Sequence, residues 1–277
     1  MPDTLVSTEW LAEHLYDPDV VAVDASWYLP GAGRNAQEEY LDSHIAGAVF
    51  FGIDEIADRK TDLPHMLPLP EQFGAQVGAL GISDTDTIVV YDEAGLFSAP
   101  RAWWSLEVMG ARDVRLLDGG GPKWRAEGRP LQSGLSRRKP QTFNAVYDAR
   151  RVAKLNQVQQ YAATGSRMIV DARPAARFRG EAPEPRPHLR PGHIPGSINL
   201  PATELTAEGR LRPLPELVAT FARGGIDLEQ PIVTSCGSGV TASTVALALQ
   251  LAGAKRVAVY DGSWAEWGAR DDTPVEL

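Results

Sequence analysis

Short runs of apolar and β-branched residues punctuate the chain at 19–25 (DVVAVDA), 87–92 (TIVVYD), 114–119 (VRLLDG), 168–173 (MIVDAR), 231–236 (PIVTSC) and 256–262 (RVAVYDG). Runs this short and this apolar predict buried strands of a parallel sheet. Between them lie stretches with helical patterning: 7–15 (STEWLAEHL), 69–81 (LPEQFGAQVGALG), 98–110 (SAPRAWWSLEVMG), 214–225 (LPELVATFARGG) and 241–254 (TASTVALALQLAGA). Gly81, Gly110 and Gly253 end three of them, as expected where the chain turns through the left-handed region. Strand and helix alternating at this spacing predict an α/β fold, with a central, mostly parallel sheet flanked by helices.

The pattern occurs twice. VVAVDASW (20–27) matches RMIVDARP (167–174), which sets Asp24 and Asp171 147 positions apart. DSHIAGAVFF (42–51) matches PGHIPGSINL (191–200), with His44 and His193 149 apart. PLPEQF (68–73) and PLPELV (213–218) follow at 145, and VRLLDGGGPKW (114–124) and VAVYDGSWAEW (257–267) at 143. Four blocks in one order mark a duplicated domain rather than a solenoid of short repeats. The expected organisation is an N-terminal copy over 1–133, a polar and basic linker over 134–150 containing Pro140, and a C-terminal copy over 151–277.

Composition narrows the class. At 43% hydrophobic and 23% charged residues the chain reads as an ordinary soluble protein. A net charge of -9 argues against nucleic acid or an anionic membrane as partner. The sequence has no apolar run of about 18 residues, and MPDTLVSTEWLAEHL resembles neither a secretory signal nor a transit peptide. Its lone cysteine cannot form an internal disulfide, which fits a reducing cytoplasm. No Cys/His cluster has zinc spacing, so no metal is expected, and no cofactor either. DGGGPKW (118–124) lacks the Lys-Ser/Thr ending of a phosphate loop and reads as a turn.

That one cysteine, Cys236, directly follows the predicted strand PIVTS and precedes the helix that begins near Thr241. Ligands of open α/β sheets bind at the carboxyl ends of strands, where this loop lies. Gly237 and Gly239 let the backbone curl so that N–H groups converge on one sulfur, and the helix dipole adds to the effect. Such a setting favours a thiolate, and equally a persulfide anion. The competing reading is a small buried hydrophobe. The first copy weighs against it: by the 143 offset, Cys236 corresponds to Glu93 in YDEAGLFSAPR, so the fold does not need a thiol there.

Tandem α/β copies, a first loop without cysteine, and the elements SHIAGAVFF, PGHIPGSINLP, APRAWW, YDGSWAEWG and CGSGVTA resemble the two-domain rhodanese-type sulfurtransferases over nearly the whole chain. Within that family, enzymes using thiosulfate carry basic residues after the cysteine, while those using 3-mercaptopyruvate carry C-G-S-G, as here at Cys236, Gly237, Ser238 and Gly239. The resemblance implies sulfur transfer from 3-mercaptopyruvate, through a Cys236 persulfide, to a thiol or cyanide, with release of pyruvate. A dithiol protein such as thioredoxin is the acceptor it implies. It also places donor-binding arginines at Arg177 and Arg186, in the R-F and E-P-R elements, beside the loop residues Gly237, Gly239, Val240 and Thr241. Arginine is suited to gripping a carboxylate with two parallel hydrogen bonds. Finally it implies a Ser-His-Asp set of Ser238, His65 and Asp54, where His65 falls in a stretch four residues longer in the first copy than in the second.

Three other functions compete with this one. A thiosulfate sulfurtransferase would need positive charge that this loop lacks. A phosphatase of the Cys-x5-Arg type is excluded, since Ala242 stands where its arginine would be. A non-enzymatic sulfur carrier is the third. His44 and His193, shared by both copies, are expected to serve the fold, as are Asp24, Asp171, Asp118 and Asp261. So are Trp103, Trp104, Trp124, Trp264 and Trp267, as core or interface packing.

Overall fold

The computed structural model describes residues 4–277. They form two compact units, the first running up to Arg59 and including Leu67–Asp148 and Glu208–Arg210. The second comprises Lys60–Met66, Ala149–Ala207 and Leu211–Leu277.

The first unit's sheet has strands β1 (Leu5–Val6), β2 (Val20–Asp24), β3 (Val49–Phe50), β4 (Thr87–Tyr91) and β5 (Asp113–Leu117), in the order β1-β5-β4-β2-β3. The second contains β6 (Val152–Ala153), β7 (Met168–Asp171), β8 (Ile198–Asn199), β9 (Ile232–Ser235) and β10 (Val257–Tyr260), in the order β6-β10-β9-β7-β8. Every pair within the two sheets is parallel. The order is therefore the same in both copies. β2, β9 and β10 are buried along their whole length, which is why their sequences are apolar without alternation.

The five predicted helical stretches hold α1 (Thr8–His14), α3 (Pro70–Ala79), α4 (Ala99–Val108), α8 (Leu214–Arg223) and α9 (Val240–Leu251). Ser7 caps α1 by accepting the Trp10 N–H. The structure adds α2 (Ala36–Asp42), capped by Asn35, with α6 (Leu155–Thr164), α7 (Ala175–Phe178) and α10 (Ser263–Trp267). It also corrects one reading: in DGGGPKW only Asp118 and Gly119 form a turn, and Gly120 opens α5 (Gly120–Ala126). Gly119, at φ 85°, makes the sharp entry, and Pro122 sits in the first turn, where a missing N–H costs nothing. Trp124 anchors the core of the first unit, and Trp264 and Trp267 that of the second.

The polar segment 134–150 is held along much of its length. Gln141 N–H bonds the Gly78 carbonyl, and Val146 and Asp148 N–H groups bond the carbonyls of Met109 and Val108. Close approach depends on bare α-carbons: a Cβ at Gly74 or Gly78 would lie 2.6 or 2.5 Å from the backbone oxygens of Phe143 and Gln141. No helix is long and apolar enough to cross a membrane among the described residues.

Candidate active site

β7 and β9 are neighbours whose outgoing connections run to opposite sides of the sheet, a topological switch point. Cys236 is the first residue beyond β9 and is 2% exposed. Its backbone is held on both sides. The Cys236 N–H donates to Ser263 Oγ at 3.2 Å, and its carbonyl accepts the Trp264 N–H at 2.9 Å. The Gly237 carbonyl accepts the Ala265 N–H at 2.9 Å. Ser263 is fully buried at φ 48° and donates its hydroxyl to the Tyr260 carbonyl.

With these carbonyls tied outward, the loop turns its donors the other way. Gly239 takes φ 80° and becomes the N-cap of α9. Among the described residues, no hydrogen bond uses the N–H groups of Gly237, Ser238, Gly239, Val240 or Thr241. Buried or half-buried, these consecutive donors at a helix N-terminus form an anion seat.

The first unit shows such a seat filled. Tyr91 pairs with Asp24 as Ser235 pairs with Asp171. The Gly121 N–H bonds the Asp92 carbonyl as the Trp264 N–H bonds that of Cys236. The counterpart of Cys236 is thus Asp92, not Glu93; the first copy's loop differs in length, so an offset taken from a downstream block slips by one. Asp92 turns its carboxylate into the loop, accepting the N–H groups of Ala94 (3.0 Å), Ser98 (2.8 Å) and Ala99 (2.7 Å). Glu93 instead pairs with Arg125 at 3.1 Å.

Beside the second unit's loop lies a buried chain of charges. Asp171, at the end of β7, holds Arg173 at 2.7 Å. Arg173 also reaches Glu184 at 2.8 Å and lies over the Trp264 ring, 4.4 Å from its centroid. Burial works against the Arg173 charge, but Asp171 and Glu184 more than compensate and raise its pKa. Glu184 in turn pairs with Arg177 at 2.5 Å. The Arg177 guanidinium covers the loop: Nη2 lies 3.1 Å from where a Cβ on Gly237 would stand.

Of the other expected site residues, His65 and Arg186 meet, Nε2 to Nη2 at 3.3 Å. His65 is buried at φ 61°, in the segment Lys60–Met66 that packs with the second unit. No hydrogen bond joins His65 to Ser238 among the described residues. Asp54 belongs to the first unit, where it accepts the Trp27 indole N–H at 2.7 Å. Arg179 forms an exposed pair with Glu181, and Arg190 holds the carbonyls of Trp267, Gly268 and Thr273. His44 and His193 each bond a backbone carbonyl, of Tyr40 and Phe178. The five tryptophans read as packing residues are all buried.

Glu184 and Ser263 escaped the sequence reading. Glu184 stands in EAPEPR, an acid among five arginines, where it looks like a surface charge; Ser263 occupies a position that is Gly120 in the first copy.

The chain resembles known proteins over almost its full length. The 3-mercaptopyruvate sulfurtransferase of Escherichia coli strain K12 is 47% identical over 272 residues, 98% of this chain and 97% of that protein. The thiosulfate sulfurtransferase of Mus musculus is 43% identical over 274 residues, 96% and 92% of the two chains. The crystal structure of SseA from Escherichia coli, described as a 3-mercaptopyruvate sulfotransferase with the rhodanese fold, superposes with a TM-score of 0.88 at 44% identity, covering 95% of this chain and 99% of that one. The rhodanese-like domain matches residues 7–127 and again 154–270, so the chain belongs to the rhodanese-like family and carries its domain twice.

Proposed function

We propose that this enzyme is a sulfurtransferase that takes sulfur from 3-mercaptopyruvate through a persulfide on Cys236. The Cys236 thiolate attacks the donor sulfur, the carbon–sulfur bond breaks, and its electron pair leaves on carbon as pyruvate enolate. The enolate takes the proton of the new S–SH group, which gives pyruvate and leaves a persulfide anion in the loop. A thiol or cyanide then accepts the outer sulfur and restores the thiolate. The observation that carries the reading is the filled seat of the first unit, where an Asp92 oxygen anion takes three loop N–H groups at the position of Cys236. A persulfide anion in the second unit has equivalent donors at Gly237 to Thr241.

Arg177 and Arg186 are the proposed cations for the donor carboxylate, and His65, which meets Arg186, is the proposed group that polarises the ketone or moves the proton. Asp54 and Ser238 are the further members of that set by resemblance. 3-Mercaptopyruvate is favoured as donor because Gly237 and Ser238 bring no charge to meet a dianion such as thiosulfate, and because relatives named for 3-mercaptopyruvate are up to 47% identical. A reduced dithiol protein such as thioredoxin, in the cytoplasm, is the acceptor that the family resemblance implies.

The test compares both donors in wild type and Cys236→Ser. Pyruvate release should vanish in the variant, and wild-type kcat/KM should favour 3-mercaptopyruvate over thiosulfate by about tenfold or more. Normal pyruvate release from Cys236→Ser, or a preference for thiosulfate, would overturn the proposal.

A further inference from the structure

Glu184 is a carboxylate, 3% exposed, with a guanidinium on either side. Arg173, on one side, keeps Asp171 and the Gly192 carbonyl whatever Glu184 does. Arg177, on the other, has no other described partner than Glu184, which engages its Nε and Nη2. That contact uses the side edge of the guanidinium and leaves the Nη1/Nη2 end, the second of the two edges on which arginine binds carboxylates in parallel. The same Nη2 lies over the bare α-carbon of Gly237, one residue from the nucleophile.

The geometry points to Glu184 as the residue that positions Arg177 over the Cys236 loop. This inference rests on the proposed role of Arg177 in holding the donor carboxylate. The donor's charge is met by a guanidinium lying across the loop rather than by a side chain of the loop itself, and a Cβ at position 237 would push its Nη2 aside by a few tenths of an ångström. The φ of Gly237 is not positive, so a small side chain there meets Arg177 Nη2 without backbone strain. The chemistry selected is a thiol that bears an organic carboxylate.

Glu184→Gln separates positioning from charge. Either orientation of the amide sets an NH2 against a guanidinium nitrogen, so Arg177 loses its fixed place, while the cluster as a whole becomes more positive. Loss of positioning raises KM for 3-mercaptopyruvate by about tenfold with kcat held within about threefold. A purely electrostatic role lowers KM, and a purely structural one lowers the melting temperature with KM unchanged; either result overturns the inference. Gly237→Ala should act in the same direction, since its Cβ would crowd Nη2 at 3.1 Å. The two changes combined should raise KM little beyond the larger single effect; effects that multiply would show independent sites and also overturn it. A third readout does not depend on turnover: the rate of Cys236 alkylation by iodoacetate, divided by that for neutral iodoacetamide. Glu184→Gln should lower this ratio severalfold, because the carboxylate reagent loses its guide. If wild type fails to release pyruvate, the proposed function falls, and the alkylation ratio still decides where Glu184 puts Arg177.

Discussion

Ser263 adopts φ 48°, a left-handed conformation that Gly120 provides in the first copy at φ 57°. A side chain there costs about 1–2 kcal/mol. What it supplies is a hydroxyl between the Cys236 N–H and the Tyr260 carbonyl. Ser263→Ala keeps the strain and strands the buried Cys236 N–H, so urea denaturation should show a loss of about 2 kcal/mol. Ser263→Gly releases the strain and should stay within about 1 kcal/mol of wild type. Both should reduce kcat for pyruvate release severalfold if the proposed function holds, because the backbone of Cys236 is no longer held. Full activity in a stable Ser263→Gly variant would show that the hydroxyl has no positioning role. None of this was visible in the sequence, where Ser263 is one residue of a repeated DG-x4-W pattern and its backbone angle leaves no mark.

At the level of the elements, the two equivalent loops put opposite demands on their helices. In the first unit, Asp92 closes the start of α4 through the Ser98 and Ala99 N–H groups. Asp92→Ala should therefore destabilise the protein by about 1–2 kcal/mol, read from the denaturation midpoint, with KM for the donor unchanged. A neutral effect on stability would mean that water replaces the carboxylate without cost. In the second unit α9 begins without a side-chain cap, and its buried face is apolar from Val245 to Leu249. The sequence announced the central strands and these long helices because each must bury an apolar stretch, and that requirement shows in composition. It was silent on β3 and β8, two residues each, and on α5, whose three glycines resemble a turn until Trp124 is seen pinning the helix to the core. The Cys236 loop was legible because glycine spacing after a strand is a local signal. The ion cluster that covers it was not, since Asp171, Arg173, Arg177 and Glu184 combine only when the loop folds back.

For the whole molecule, the duplicated aspartates separate the copies thermodynamically. Asp171 has Arg173 two residues on; Asp24 has Ser26, which offers only neutral donors. Burial, reinforced by nearby Glu93 and only partly offset by bonds from Ser26, holds the Asp24 carboxyl up at about 6, from an ordinary 3.8. Between these values the folded protein keeps a proton that the unfolded chain has lost, so stability falls as pH rises through the window. Above it, the buried charge costs about 3 kcal/mol. Asp24→Asn should thus raise the melting temperature at pH 7.5, and the gain should shrink towards zero as the pH is lowered to about 4. An equal gain at both pH values would assign the effect to packing instead. The contact between His65 and Arg186 spans 121 positions of the chain. During synthesis His65 therefore leaves the ribosome long before its neighbour exists, while the strands around it already have local partners. A nascent chain stopped after the first copy should carry 60–66 as a protease-sensitive loop, which becomes protected once the segment around Arg186 has been made and folded.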